Sequence, residues 1–218
     1  MKISKIPEPT VIRLSVYSRF LNQATKNGLD IISSDELGVL VGIPPAQVRK
    51  DLSYFGEFGI RGVGYKVPAL CDQVDKLLGT HQVCPCIVVG AGRLGNYIAQ
   101  YPLLRDRGFH TLALFDIDPA KWQAYADREN GHSHPLPPVY PLGDLAQFTA
   151  EHPISIGVIA VPADQAQAVL EQLLQCQITH IINVAPVILH APPHAEVRNI
   201  DIGQSLGILS FSLGFNTL

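Results

Sequence analysis

The segment Gly90-Ala91-Gly92-Arg93-Leu94-Gly95 has the Gly-x-Gly-x-x-Gly spacing that lets a backbone approach phosphate. The first glycine permits a tight turn, the second admits the pyrophosphate, and the third lets helix and strand pack closely. Free N–H groups at the start of the following helix would hold the phosphate oxygens. Asp116 ends the next apolar run, Thr111-Leu112-Ala113-Leu114-Phe115. A carboxylate there accepts both ribose hydroxyls of an adenosine and repels a 2′-phosphate, so NAD(H) is expected rather than NADP. A different chemistry sits upstream. Gln47, Arg49, Lys50 and Ser53 lie outside the apolar Val48, Leu52, Phe55 stripe of a short helix. Arginine can grip the O6/N7 edge of guanine with two bonds, and lysine or glutamine can reach base edges or phosphates.

Groups that would turn a nucleotide pocket into an enzyme are missing. A dehydrogenase needs a proton donor or acceptor beside the nicotinamide. No Tyr-x-x-x-Lys occurs, and Lys121 is the only lysine after residue 81. His180 begins a strand, away from the ligand end. His132, His134, His190 and His194 lie in proline-rich loops without a Cys or carboxylate cluster, as surface histidines do. Cys84-Pro85-Cys86 enters a strand and reads as a buried apolar pair. Binding without catalysis or metal is the expectation.

These residues need elements to hold them. Leu14, Tyr17 and Leu21 mark an amphipathic helix over residues 10–27, closed by Asn27-Gly28. Ser33 and Glu36 form a capping box for a second helix that runs to Gly42, and Pro45 suits the first position of a third. Helix, short glycine turn and helix make a helix-turn-helix outline. Phe58 to Tyr65 has the glycines of a tight hairpin with Arg61 at its tip, a β wing that would lie along a groove or phosphate run. An ordinary small helical domain with a basic surface shares the three-helix pattern but not the wing. Lys66 to Leu78 reads as a connecting segment and linker helix.

Beyond it the pattern becomes alternating β and α. Cys86-Ile87-Val88-Val89 reads as a strand buried on both faces, and residues 96–101 as the helix after the glycine loop. Asp118-Pro119 reads as a helix cap and first turn. Ile156 to Val161 is a strand ending at Pro162, residues 163–175 a helix, and His180 to Val184 a strand ending at Ala185-Pro186. Ligands of open α/β sheets lie at the carboxyl ends of strands. Val161, Pro162, Ala185 and Pro186 are therefore candidates for the nicotinamide side, although a proline there can also simply end strand pairing.

Composition agrees with this division. Of 218 residues 47% are apolar, enough for real cores, and the net charge is -3. Residues 1–80 carry ten Lys/Arg against eight Asp/Glu, whereas residues 81–218 carry six against eleven. A phosphate-binding surface therefore belongs in the first eighty. No uninterrupted apolar stretch reaches membrane-spanning length, no secretory signal is evident, and the four cysteines have no regular spacing, as in a reduced cytoplasmic protein. Residues 202–218 hold no charged side chain, and Leu206, Leu209 and Leu213 follow helical spacing. A helix apolar nearly all round must be covered, and a second subunit is the expected cover.

Taken together, the chain resembles the Rex family of redox-sensing bacterial repressors along essentially its whole length. The resemblance is carried by Arg13-Leu14-x-x-Tyr17-x-Arg19, by the string from Gln47 to Gly56, by Arg61-Gly62-Val63-Gly64-Tyr65 and by the glycine loop. Phe115-Asp116-x-Asp118-Pro119, Ala160-Val161-Pro162 and Asn183-x-Ala185-Pro186 complete it. Val184 stands where the family often has Phe, and the terminal helix lacks charges the family often carries there. The resemblance implies a winged helix-turn-helix domain over residues 1–80, a doubly wound Rossmann NAD(H) domain over 81–200, and a dimerisation helix over 201–218 exchanged between subunits. It implies a homodimer that holds palindromic operator DNA while NAD+ predominates and releases it when NADH binds. Arg19, Tyr101 and Asp201 would form the switch, Asp201 pairing with Arg19 in one state and hydrogen-bonding Tyr101 in the other. Two other readings share parts of the pattern. One is a Rossmann enzyme with a small appendage, a dehydrogenase or a CoA-binding ligase subunit; the other is a DNA-binding protein that senses a different nucleotide.

Overall fold

The computed structural model describes residues 6–54, 56, 59, 60, 62–120 and 136–215. Phe55, Phe58, Arg61, Lys121, His132 and His134 thus lie outside the described residues. The chain divides into two compact units, Met1–Gln82 and Val83–Leu218.

In the first unit α1 (Glu8–Lys26) is followed by β1 (Ile31–Ile32), α2 (Ser34–Val41), α3 (Pro45–Ser53), β2 (Gly59–Ile60), β3 (Gly64–Lys66) and α4 (Val67–Leu78). The capping box forms as the sequence requires: the Glu36 amide donates to Ser33 Oγ at 3.1 Å and the Ser33 amide to Glu36 Oε2 at 2.8 Å. These bonds from Ser33 hold the Glu36 carboxyl below its ordinary value. Gly42 ends α2 in the left-handed region at φ 69°, turning the chain into α3. β2 and β3 pair antiparallel, and β3 also pairs with β1, so the hairpin is the outer part of a three-stranded sheet. Leu14, Tyr17 and Leu21 of α1 meet Leu37, Val48 and Leu52 in one core.

Two features differ from the sequence reading. Residues 67–78 were expected to connect the halves, but Val67, Leu70 and Val74 of α4 belong to this same core. Ser18 Oγ on α1 donates to Asp75 Oδ1 on α4 at 2.6 Å, which ties the helices further. Arg13, read only as lying off the apolar stripe, forms a two-bond fork with Asp51 of α3: Nε donates to Oδ2 at 2.6 Å and Nη2 to Oδ1 at 2.7 Å. Asp51 is wholly buried and also accepts from Tyr17 Oη at 2.8 Å and Gln47 Nε2 at 2.8 Å.

The second unit holds β4 (Cys84–Val89), α5 (Arg93–Gln100), α6 (Pro102–Arg105), β5 (Phe109–Asp116), β6 (Val139–Pro141), α7 (Leu145–Glu151), β7 (Ile156–Ile159), α8 (Ala163–Gln175), β8 (His180–Asn183), β9 (Glu196–Asn199) and α9 (Ile202–Phe215). The six strands are all parallel in the order β6-β5-β4-β7-β8-β9. In chain order that is 3-2-1-4-5-6, the doubly wound dinucleotide-binding arrangement, with its reversal point between β4 and β7. Ile87 and Val89 face a core completed by Leu170 and Leu173 of α8, whereas Val88 faces Leu114, Val158 and Ala91 on the opposite side. That is why β4 is apolar without alternation. β6 and β9 escape a sequence reading because they are edge strands without an apolar run: one ends in Pro141, and the other, Glu-Val-Arg-Asn, carries the charges that protect an exposed edge. On α9, Leu206, Leu209 and Leu213 are all more than half exposed in the single chain.

The buried fork makes a stability prediction. Burial alone would raise the Asp51 carboxyl, but the bonds from Arg13, Tyr17 and Gln47 outweigh it and hold it below the ordinary value. Its contribution to folding is therefore complete above the unfolded value of about 3.9 and falls away as pH drops below it. Removing the carboxylate leaves Arg13 unpaired, and a quarter of its side chain still reaches solvent. Asp51→Ala is thus expected near the lower end of the cost of breaking a buried pair, about 3 kcal/mol, read by urea unfolding followed by circular dichroism. A loss under 1 kcal/mol at pH 7 would contradict this account.

Candidate functional site

The chain leaves β4 and crosses the reversal point at Gly90, whose amide donates to the Phe115 carbonyl of β5 at 2.8 Å. The Ala160 amide, just beyond β7, donates to the Val89 carbonyl at 2.8 Å. The loop is thereby fastened on both sides. Gly90 has φ 102°, and a Cβ there would strike the Ala160 carbonyl. A Cβ on Gly95 would run into the Gly90 carbonyl, so α5 sits directly on the turn. The first and third glycines do what their spacing predicted. The amides of Arg93, Leu94 and Gly95 are in the first turn of α5, where helical geometry offers them no acceptor.

Asn96 completes the loop and was read from sequence only as part of the helix. It is buried, and its Nδ2 donates to the carbonyls of Ala91 and Gly92. Asp116 also has a task beyond the one expected. Its Oδ2 accepts from the Ala91 amide at 2.8 Å and its Oδ1 from the Asp118 amide at 3.0 Å. The Ala91 amide is therefore spent on positioning the carboxylate. A helix begins at Pro119 directly after Asp118, where the Asp-Pro pair placed it.

A cleft of about 310 Å³ opens at the carboxyl ends of the strands, lined by Val89, Gly90, Gly92, Phe115, Asp116, Ile117, Leu142, Ala160, Val161, Pro162, Gln165 and Val169. Of the predicted cofactor residues it brings together Gly90, Gly92, Asp116, Val161 and Pro162. Arg93 and Leu94 stand exposed at the start of α5. Ala185 and Pro186 do not line this cleft; they follow β8, one strand beyond β7. Their backbone is fixed by wholly buried Asn183, which accepts from the Ala185 amide at 3.0 Å and donates to the Val187 carbonyl at 2.7 Å and to Asn199 Oδ1 at 2.9 Å. Ile117, Leu142 and Gln165 line the cleft, and Asn183 fixes the segment after β8, although the sequence reading gave none of them a place in the site. Only their positions just after, or at the end of, a strand or just inside a helix could have marked them.

In the first unit Gln47 is half-buried, and Arg49 and Lys50 are exposed along α3. Arg49 Nη1 donates to Ser34 Oγ at 2.7 Å, which orients the guanidinium beside the start of α2. Ser53 Oγ donates to the Lys50 carbonyl at 2.7 Å, so its proton is already committed. The residues proposed as a switch are each exposed. Arg19 lies 5.7 Å from the Phe20 ring centroid, Tyr101 rests 5.6 Å from the Tyr97 ring, and Asp201 Oδ1 accepts from the Gln204 amide at 3.2 Å, capping α9. Burial and its neighbour Cys84 push the Cys86 thiol up to about 12, so it stays protonated at neutral pH. Among the described residues no group of His, Cys, Asp and Glu could hold a metal ion, and no helix is long and apolar enough to cross a membrane.

Known proteins share this arrangement. Residues 5–53 match a family described as a putative DNA-binding protein N-terminus, and residues 81–187 match a CoA binding domain. The chain is 44% identical over 214 residues to the redox-sensing transcriptional repressor Rex of Pelotomaculum thermopropionicum, covering 98% of this chain and 96% of that one. It is 40% identical over 209 residues to the repressor Rex 1 of Thermotoga maritima, covering 96% of each. It is similar in structure to RSP in complex with β-NAD+ and operator DNA, with a TM-score of 0.85 and 32% identity over 97% of this chain and 94% of that one. For RSP with β-NADH the TM-score is 0.80 and the identity 30%, over 98% and 96% of the two chains. RSP is a Rex-family repressor.

The close packing of Gly95 on Gly90 sets an expectation for the loop. Gly95→Ala must push α5 off β4 and is expected to cost about 1–3 kcal/mol through overpacking and to abolish nucleotide binding. Thermal unfolding and a fluorescence titration with NADH read the two effects. Unchanged NADH binding in the variant would mean that the loop is not the phosphate site.

Proposed function

The chain belongs to the Rex family of redox-sensing transcriptional repressors, and from that premise we propose that it holds operator DNA until NADH binds and then lets go. The relatives it matches are named as transcriptional repressors and not as enzymes. The observation that carries the proposal is the presence, in one chain, of a helix-turn-helix with a hairpin and a 3-2-1-4-5-6 sheet whose second strand ends in a carboxylate.

In this reading the dinucleotide lies across the strand ends. The adenosine occupies the cleft, with its ribose on Asp116, and the pyrophosphate meets the Gly92, Arg93, Leu94 and Gly95 amides. Val161 and Pro162 stand midway, and the nicotinamide reaches Ala185 and Pro186. Supporting this, Asp116, the glycine loop, Val161 and Ala185 follow four adjacent strands, β5-β4-β7-β8, a span of roughly 14 Å at the usual strand spacing. Oxidised nicotinamide carries a positive charge that an apolar surrounding disfavours, whereas reduced nicotinamide is neutral. NADH is therefore favoured over NAD+ in such surroundings, and it moves the switch by binding the DNA-releasing state more tightly than the DNA-holding one.

The output lies on α3, whose Gln47, Arg49, Lys50 and Ser53 are the proposed major-groove contacts, joined by Arg61, which lies outside the described residues. The apolar α9 of each subunit covers the other, giving a homodimer that works on DNA in the cytoplasm. Two recognition helices must then match successive major grooves, about 34–36 Å apart. Arg19, Tyr101 and Asp201 exchange partners between the states. Uncharged and exposed, α9 supports the dimer, since a single chain leaves it uncovered.

A gel shift on an AT-rich palindrome, titrated separately with NADH, NAD+, NADPH, CoA and ATP, tests the proposal. NADH alone is expected to release the DNA; an intact complex at saturating NADH would sink the sensor. Release by CoA alone would instead favour the CoA-binding side of the second family match. Arg49→Ala should weaken specific DNA binding by about 1–3 kcal/mol with NADH affinity unchanged, and Asp116→Ala should do the reverse. Equal damage to both activities would mean that the two tasks are misassigned.

A further inference from the structure

We propose that Gln47 reads an adenine in each operator half-site, and that buried Asp51 sets the polarity with which it reads. The inference rests on the DNA-binding role of α3 and adds which base one of its side chains selects. Gln47 is the third residue of α3 and Asp51 stands one turn further, so their side chains share a face. Gln47 Nε2 donates to Asp51 Oδ1 at 2.8 Å. Asp51 cannot turn away, because Arg13 holds both its oxygens, Tyr17 Oη donates to Oδ2 at 2.8 Å, and Thr10 Oγ1 donates to Oδ1 at 3.3 Å. Among these partners every contact comes from a donor, as an ionised carboxylate requires.

That fixes the orientation of the Gln47 amide. A carboxylate only accepts, so the NH2 must face Asp51; the flipped amide would set its oxygen against a carboxylate oxygen. One N–H is committed inward. The carbonyl oxygen and the second N–H remain, one acceptor and one donor. In the major groove adenine offers the complementary pair, the N6 amino donor and the N7 acceptor, whereas guanine presents two acceptors, O6 and N7. A guanine would place O6 against the Gln47 oxygen. Asp51 is thus a positioning residue: it touches no base, yet without it the amide could turn over and lose the distinction.

Wild type, Gln47→Ala and Asp51→Asn are each used to select from a pool of palindromic duplexes with randomised half-sites, with circular dichroism confirming that each variant is folded. Wild type is expected to prefer an adenine at one position of each half-site by about 5- to 150-fold. Gln47→Ala should lose that preference alone, and Asp51→Asn should flatten the same position more than any other. A uniform loss across all positions in Asp51→Asn would make Asp51 merely structural and overturn its positioning role. Replacing that adenine by 7-deazaadenine, which lacks the N7 acceptor, should weaken the wild-type complex while leaving Gln47→Ala unaffected, and this arm needs no altered fold. If Gln47→Ala keeps every preference, or the position it loses is not adenine, the inference fails and the repressor stands. If wild type selects no sequence at all, the DNA-binding role itself fails.

Discussion

A polar group removed from water costs several kcal/mol unless hydrogen bonds replace those it lost, and three such groups anchor the functional elements here. Asp51 is buried beneath α3, Asn96 beneath the glycine loop, and Asn183 at the end of β8. Among the described residues no buried side-chain nitrogen or oxygen lacks a partner. Each of the three is satisfied only if the backbone or side chains around it adopt one arrangement. Asp51 demands that α1 present Arg13 and Tyr17 to α3. Asn96 demands that the carbonyls of Ala91 and Gly92 turn inward, which leaves the loop amides facing out. Asn183 holds Ala185 and Val187 against β9. The face of α3, the glycine loop and the segment after β8 are thus each set by a buried polar group.

The division of labour follows from how each unit buries its apolar surface. In the first unit helices and a small sheet close over one core, and the third helix keeps one polar side free. In the second, helices cover both faces of a parallel sheet, so the central strands β4 and β7 are apolar along their length. The crevice beside Gly90 exists because the chain reverses its direction of growth between β4 and β7. The cleft is lined mainly by apolar side chains and glycine, with Asp116 as its single carboxylate.

Much of this was legible beforehand. The capping box at Ser33, the helix start at Pro45, the glycine loop and the residue 163–175 helix are local patterns whose physics lies within a few residues, and each formed as read. The helix over residues 67–78 was legible as a helix but not as a core member, because amphipathicity does not say which core an apolar face joins. β1 and β6 are too short for a periodic signal, and β9, Glu-Val-Arg-Asn, holds a single apolar residue. The role of Asp51 was invisible for another reason. Its partners Arg13 and Tyr17 lie 38 and 34 residues away, and nothing in a charge pattern pairs residues at that distance.

By itself the sequence determined which amides can cradle a phosphate, which carboxylate ends the second strand and which helix carries the basic side chains, since these depend on residue type and short spacing. Tertiary structure alone decided that the Ala91 amide serves Asp116, that Val161 and Pro162 share the cleft with Asp116 while Ala185 and Pro186 stand one strand away, and that the Gln47 amide is turned by a buried carboxylate. Those outcomes depend on which strands lie side by side and which groups are excluded from water together, and both are properties of packing across the chain.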